Sequence, residues 1–234
     1  MATNSLITTI SGGGAPQKAN LTGFRRFKGF TLAEVLITLV IIGVIASMTI
    51  PTLINKTEKQ EYVSRLKKAY STLSQATNRI IAEEGMPRGD IGGWATSTEA
   101  VFNMYKKYLS NAKVCGIDTN GCFEGSYKRY GGSTFNYDSG RYTLVLADGS
   151  EISLGNDFRA DCSNRFAGSE NVCQGILIDV NGAKKPNFIG KDAFTFVLKE
   201  NGLVPAGCDY DDCNQITVSL GCACKVLREG AINY

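Results

Sequence analysis

The chain has 234 residues, 43% hydrophobic and 20% charged, with eight cysteines, no histidine and a net charge of +3. The missing histidine removes Ser-His and Cys-His nucleophile pairs and all histidine-bound metals. There is no Walker-type phosphate loop, and the paired acids Asp211-Asp212 sit in a cysteine-rich stretch, so no enzyme is expected.

Residues 1–29 read as a leader, with an unstructured Ser11-Gly12-Gly13-Gly14 and the cations Lys18, Arg25, Arg26 and Lys28 against no acid. Without them the side-chain charge is +3 − 4 = −1, so bulk charge gives no support for nucleic-acid binding. From Phe30 to Ile54 the chain is apolar, with Glu34 its one charge. That stretch of about 25 residues exceeds the roughly 20 that cross a bilayer and the 7 to 15 of a secretory signal core. Ala46-Ser47-Met48 is a poor cleavage site. The preceding cations orient the N-terminus to the cytoplasm and the rest outward. Lys56 and Lys59 weaken that argument, while eight cysteines, none before residue 115, restore it by suiting an oxidising compartment. A carboxylate in hydrocarbon costs about 2.5 to 3.5 kcal/mol on insertion scales, so Glu34 requires a partner.

Beyond the span, residues 55–87 continue as an amphipathic helix. Tyr62, Leu66, Ala69, Tyr70, Leu73, Thr77, Ile80 and Ile81 recur every three or four residues, and Gly85-Met86-Pro87 ends the pattern. Pro51 interrupts the hydrogen-bond ladder and predicts a kink.

Residues 88–234 form the head. Thr96-x-x-Glu99 predicts a capping box ahead of a second helix carrying Val101, Met104, Tyr105, Tyr108 and Leu109. The period then changes to two. Residues 142–147 and 151–154 flank Asp148-Gly149 as a hairpin, residues 176–180 form a strand, and residues 194–198 and 203–204 form a second hairpin. Antiparallel strands laid on a long helix give an α+β class.

Local spacing suggests Cys115–Cys122 and Cys162–Cys173 bridges. Cys208, Cys213, Cys222 and Cys224 allow three pairings; bridges between the first two and the last two are favoured, because joining Cys222 to Cys224 closes a strained ring. A zinc site at these four is disfavoured by spacing and export. Asp179, Asn181 and Asp192 could supply oxygen ligands to calcium around a glycine turn. The favoured reading is that they close turns through their own backbone.

Lys28-Gly29-Phe30-Thr31-Leu32-Ala33-Glu34-Val35-Leu36-Ile37 resembles the cleavage and methylation motif of type IV prepilins and type II secretion pseudopilins. The close resemblance covers residues 25–54, and the leader is longer than most in that family. It implies a pilin-like head and a prepilin peptidase that cuts between Gly29 and Phe30 on the cytoplasmic face. It also implies N-methylation of Phe30, an assembly role for Glu34, and Pro51 at the bend of the helix. The implied partners are the peptidase, other pilin or pseudopilin subunits, an assembly ATPase and an inner-membrane platform protein. The implied place is the inner membrane, crossed once with the head in the periplasm, and then a pilus or pseudopilus. Some pseudopilins carry calcium in their loops. The physical logic agrees: glycine lets the backbone lie extended in a protease cleft, and Glu34 sits one turn from the amine that cleavage frees. The expected function is a filament subunit. The alternatives are a secretion pseudopilin or an uncleaved, membrane-anchored binding or adhesion module.

Overall fold

The computed structural model describes residues 29–109, 112–117, 122, 125–130, 132–136, 140–155, 157–208, 220 and 222–234. The chain divides into two units, residues 1–48 and 49–234. Helix α1 runs over Leu32–Glu84 without a break at Pro51. It ends at Gly85, whose N–H bonds to the Ile81 carbonyl at 3.1 Å and whose φ of 86° is the left-handed geometry of a glycine cap.

In the second unit, α1 buries Tyr62, Val63, Leu66, Ala69, Leu73, Ala76, Thr77 and Ile80. They pack with α2 (Thr98–Tyr108) and with a six-stranded antiparallel sheet, giving the α+β class. Among the described residues the strands are β1 (Lys113–Ile117), β2 (Ser126–Lys128), β3 (Thr134–Asn136), β4 (Tyr142–Val145), β5 (Glu151–Leu154), β6 (Asn164–Phe166), β7 (Ser169–Val172), β8 (Gln174–Asp179), β9 (Ala193–Lys199) and β10 (Gly202–Pro205). The main sheet has the order β1-β4-β5-β8-β9-β10, and β2-β3 and β6-β7 form separate hairpins. A short helix, α3 (Ala223–Glu229), follows.

One sheet face meets α1 through residues such as Ile152, Ile176, Ile178, Phe194 and Phe196, with Tyr70 stacked on Phe196 at 5.4 Å. The other is covered by Tyr127 and Ile189 over Leu177, and by Val172 and Ala206 beside Val197. Burial on both faces is why β8 and β9 hold uninterrupted apolar runs at 176–178 and 196–198 rather than alternating. Between helices, Thr77 Oγ1 gives its one hydrogen to the Leu73 carbonyl at 2.8 Å, so Tyr105 is the donor in their 2.6 Å contact.

Two local expectations are corrected. The cap of α2 is Ser97, not Thr96: its extended backbone aims the hydroxyl at the Ala100 N–H, 3.1 Å away. Cap-capable residues occupy 96, 97 and 98, and the register chosen buries Val101, Phe102 and Tyr105. Ser97→Ala should therefore cost about 1 kcal/mol and Thr96→Ala much less, measurable by denaturant titration. The first hairpin turns through Ala147, Asp148 and Gly149, with Gly149 N–H on the Leu146 carbonyl at 2.9 Å. Only Gly149 takes a positive φ, 85°, so Asp148-Gly149 is not a two-residue turn. Finally, α3 has no counterpart among the elements expected from the sequence.

The structure joins Cys115 to Cys122, Cys162 to Cys173 and Cys208 to Cys224. The last bridge spans the two cysteine pairs and removes its thiolates from zinc ligation. Cys222 is buried, and Cys213 lies outside the described residues.

Candidate processing and assembly site

The two residues flanking the expected cut carry no fold-determined role. A Cβ built on Gly29 meets nothing within 4 Å, so packing does not require glycine there. Phe30 is 88% exposed. Immediately after them the chain closes a cap of its own. Thr31 N–H and Thr31 Oγ1 each donate to Glu34 Oε2 at 2.8 Å, and Glu34 N–H returns a bond to Thr31 Oγ1 at 3.2 Å. This is a reciprocal capping box: Thr31 satisfies one orphan N–H of α1, and Glu34 satisfies the N–H of the capping residue. Glu34 also brings negative charge to the positive end of the helix dipole.

This capping role of Glu34 is readable in the sequence as Thr-x-x-Glu before an apolar run. The box lies wholly on the Phe30 side of the Gly29–Phe30 bond, so cutting that bond leaves it whole. Both donated bonds fall on Oε2, leaving Oε1 without a partner among the described residues.

Every large apolar side chain from Phe30 to Ile54 is exposed. Such a surface belongs in lipid or against other chains. Among the described residues, α1 is the one helix long and apolar enough to cross a membrane. Pro51 cannot donate to the Ser47 carbonyl, although α1 continues through it. Ser47 Oγ donates to the Val44 carbonyl at 2.7 Å.

The residues considered for calcium close turns. Asp179 Oδ1 accepts from Asn181 N–H at 3.0 Å, and Oδ2 accepts from the Tyr127 hydroxyl at 2.6 Å. Asn181 Nδ2 donates to the Lys184 carbonyl at 2.9 Å, and Asp192 Oδ1 accepts from Phe188 N–H. Among the described residues, no three acidic, cysteine or histidine side chains are grouped to hold a metal ion. Asp179 is fully buried and stands directly across from Glu151 on β5. Burial first, then the charges of Asp192 and Glu151, push its carboxyl up to about 8.

Residues 24–50 match the family model for the prokaryotic N-terminal methylation motif. The chain carries a type IV prepilin-type motif. No curated protein and no solved structure matches the chain. The motif brackets the Gly29–Phe30 bond, the capping box and most of the exposed apolar stretch. It is a motif of structural, pilin-type proteins and implies prepilin-peptidase processing and assembly with other pilin subunits. Together with the apolar helix it fits membrane anchoring.

Proposed function

We propose that the chain is a non-enzymatic structural subunit of a type IV pilus-like filament. A prepilin peptidase cuts between Gly29 and Phe30, the freed Phe30 amine is methylated, and the subunit waits in the inner membrane with its head in the periplasm. An assembly ATPase and a membrane platform protein then polymerise it through residues 30–54. The observation that carries this reading is the coincidence of the methylation motif with the self-capped start and exposed apolar stretch of α1. The leader is discarded in this scheme, and with it four cations and no acid.

Intact-mass and N-terminal analysis of the protein from cells tests the reading. The expected product begins at Phe30 and is heavier by one methyl group; an intact leader on a membrane-anchored protein would favour the anchored binding module. Gly29→Leu should leave the fold unchanged, because nothing lies near a Cβ there, yet accumulate unprocessed chain. Electron microscopy with mass spectrometry of sheared material separates pilus from secretion pseudopilus, which shares the same processing.

A further inference from the structure

The first residue that α1 buries in the head is Tyr62. The turn before it, residues 58–61, is half-buried or exposed and has no such anchor. One of its side chains is fastened all the same. Lys59 Nζ donates to the Ile232 carbonyl at 3.0 Å, across 173 residues of sequence.

The segment that supplies this carbonyl is held on both sides. Before it, α3 buries Ala223 and Val226 in the main core, and the Cys208–Cys224 bridge ties the helix to the chain that follows β10. Gly230 then takes a φ of 67°, the left-handed cap that turns the chain out of α3. Residues 231–234 run past Lys59 to the β8–β9 loop. Ile232 is buried, Asn233 is exposed, and the Tyr234 hydroxyl donates to the Gly190 carbonyl at 2.6 Å. Tyr130 braces that end, edge-on to Tyr234 at 5.3 Å and to Phe188 at 4.7 Å. Gly190 has a φ of 91°, and a Cβ there would come within 3.1 Å of the Tyr130 ring and 3.4 Å of the Tyr234 hydroxyl. Glycine both takes the turn and lets the two rings close over it.

Two routes join the turn at Lys59 to this loop. The direct one is Lys191 Nζ, 4.0 Å from Glu58, and a pair that long between part-exposed side chains contributes little. The indirect one uses a part-buried, charged hydrogen bond at Ile232 and a short one at Tyr234, two residues on. The cost of ordering so short a segment is shared by both bonds and falls on one alone when the other is lost.

We propose that residues 230–234 form a strap that couples the α1 turn at residues 58–61 to the β8–β9 loop, so that the two open and close together. The coupling lies within the unit 49–234 and does not depend on processing at Gly29. Fastened, the turn moves with the sheet. Released, it keeps only its own helical hydrogen bonds, and α1 can bend ahead of Tyr62 while residues 62–80 stay packed.

Hydrogen exchange on the full chain in detergent tests it, reading each end after a substitution at the other. Lys59→Met keeps the stem and removes the donor. The amides of Ile189, Gly190 and Lys191, bonded to the Lys128, Ala193 and Phe188 carbonyls, should then exchange about tenfold faster, the equilibrium change from losing one charged hydrogen bond. Tyr234→Phe removes only a hydroxyl, and the amides of residues 59–62 should exchange about fivefold faster. Lys191→Met breaks the direct pair and should leave those α1 amides unchanged. Unaltered protection of β8 and β9 shows that each variant is folded. Faster exchange confined to the substituted end and residues 232–234 overturns the strap. So does a Lys191→Met variant that reproduces the effect of Tyr234→Phe on α1.

Discussion

Glu34→Gln should abolish filament assembly as completely as Glu34→Ala, although only the alanine loses the helix cap. The amide oxygen of glutamine can still accept the Thr31 N–H bond that Glu34 Oε2 now takes. What it cannot do is neutralise an amine. In the proposed subunit the Phe30 amine, freed by cleavage, must be carried into an apolar helix bundle on its own chain or a neighbour's. Removing one partner of a buried pair typically costs about 3 to 5 kcal/mol, a factor of roughly 10² to 10³ or more per contact. Thr31→Val gives the complementary result: it removes the hydroxyl that accepts Glu34 N–H and should cost about 1 kcal/mol of helix capping, while assembly persists. Counting sheared filaments from the three variants, with processing verified by mass, separates charge from cap. Normal filaments from Glu34→Gln would falsify the pairing.

Asp179 predicts a head that weakens as pH rises. Its folded carboxyl titrates near 8, while an unfolded aspartate titrates near 3.9. A raised folded value means the unfolded chain releases its proton first. The stabilisation is therefore whole below pH 4 and is lost progressively up to about pH 8. The slope is at most 1.36 kcal/mol per unit and the total of order 5 kcal/mol. Asp157 and Asp192 are also raised, by burial, and add the same sign. Asp179→Asn should remove one proton's worth of slope. Its side-chain oxygen can keep the Tyr127 hydroxyl, but its NH₂ then meets the Asn181 N–H. The variant should accordingly start about 1 to 3 kcal/mol less stable in acid, and the two curves should cross about one to two pH units above 4, the variant being the more stable beyond that point. Urea titrations in detergent, followed through the single tryptophan, Trp94, read both curves. Parallel curves for the two proteins would remove Asp179 as the titrating group.

What could be read from residues alone depended on how long each pattern persists. Tyr62 to Ile80 repeats a helical spacing for five turns and is closed by Gly85, so α1 is legible almost to the residue. Residues 142–154 and 194–204 declare their hairpins through strand-forming runs around Asp148-Gly149 and Glu200-Asn201-Gly202, although Gly202 is already paired with Lys199. In contrast, β2, β3 and β6 are three residues each, too short to show an alternation. They matter because they cover the second face of β8, the physical reason that Ile176, Leu177 and Ile178 are all apolar. Helix α3 is seven residues long, too short for its apolar spacing to stand out beside Cys222 and Cys224. Around Gly29 and Phe30 the motif was plain, while the cap was not, because Thr31-x-x-Glu34 lies inside it.

The ends of the sheet bear on crowding. Strand β1 forms one border, and its pairing with β4 slips between Val114 and Gly116, a bulge whose glycine has a φ of 78°. At the opposite border β10 is four residues long and finishes in Pro205, which has no N–H to offer. Just past it, the Ala206 carbonyl is taken by Cys224 N–H at 3.1 Å, beside the Cys208–Cys224 bridge. Neither border presents a long, flat row of open peptide groups to a neighbouring copy. Heads held shoulder to shoulder, in a membrane or along a fibre, are thereby kept from zipping into an amyloid-like ribbon. In the proposed filament, contact between copies is left to the exposed apolar stretch of α1.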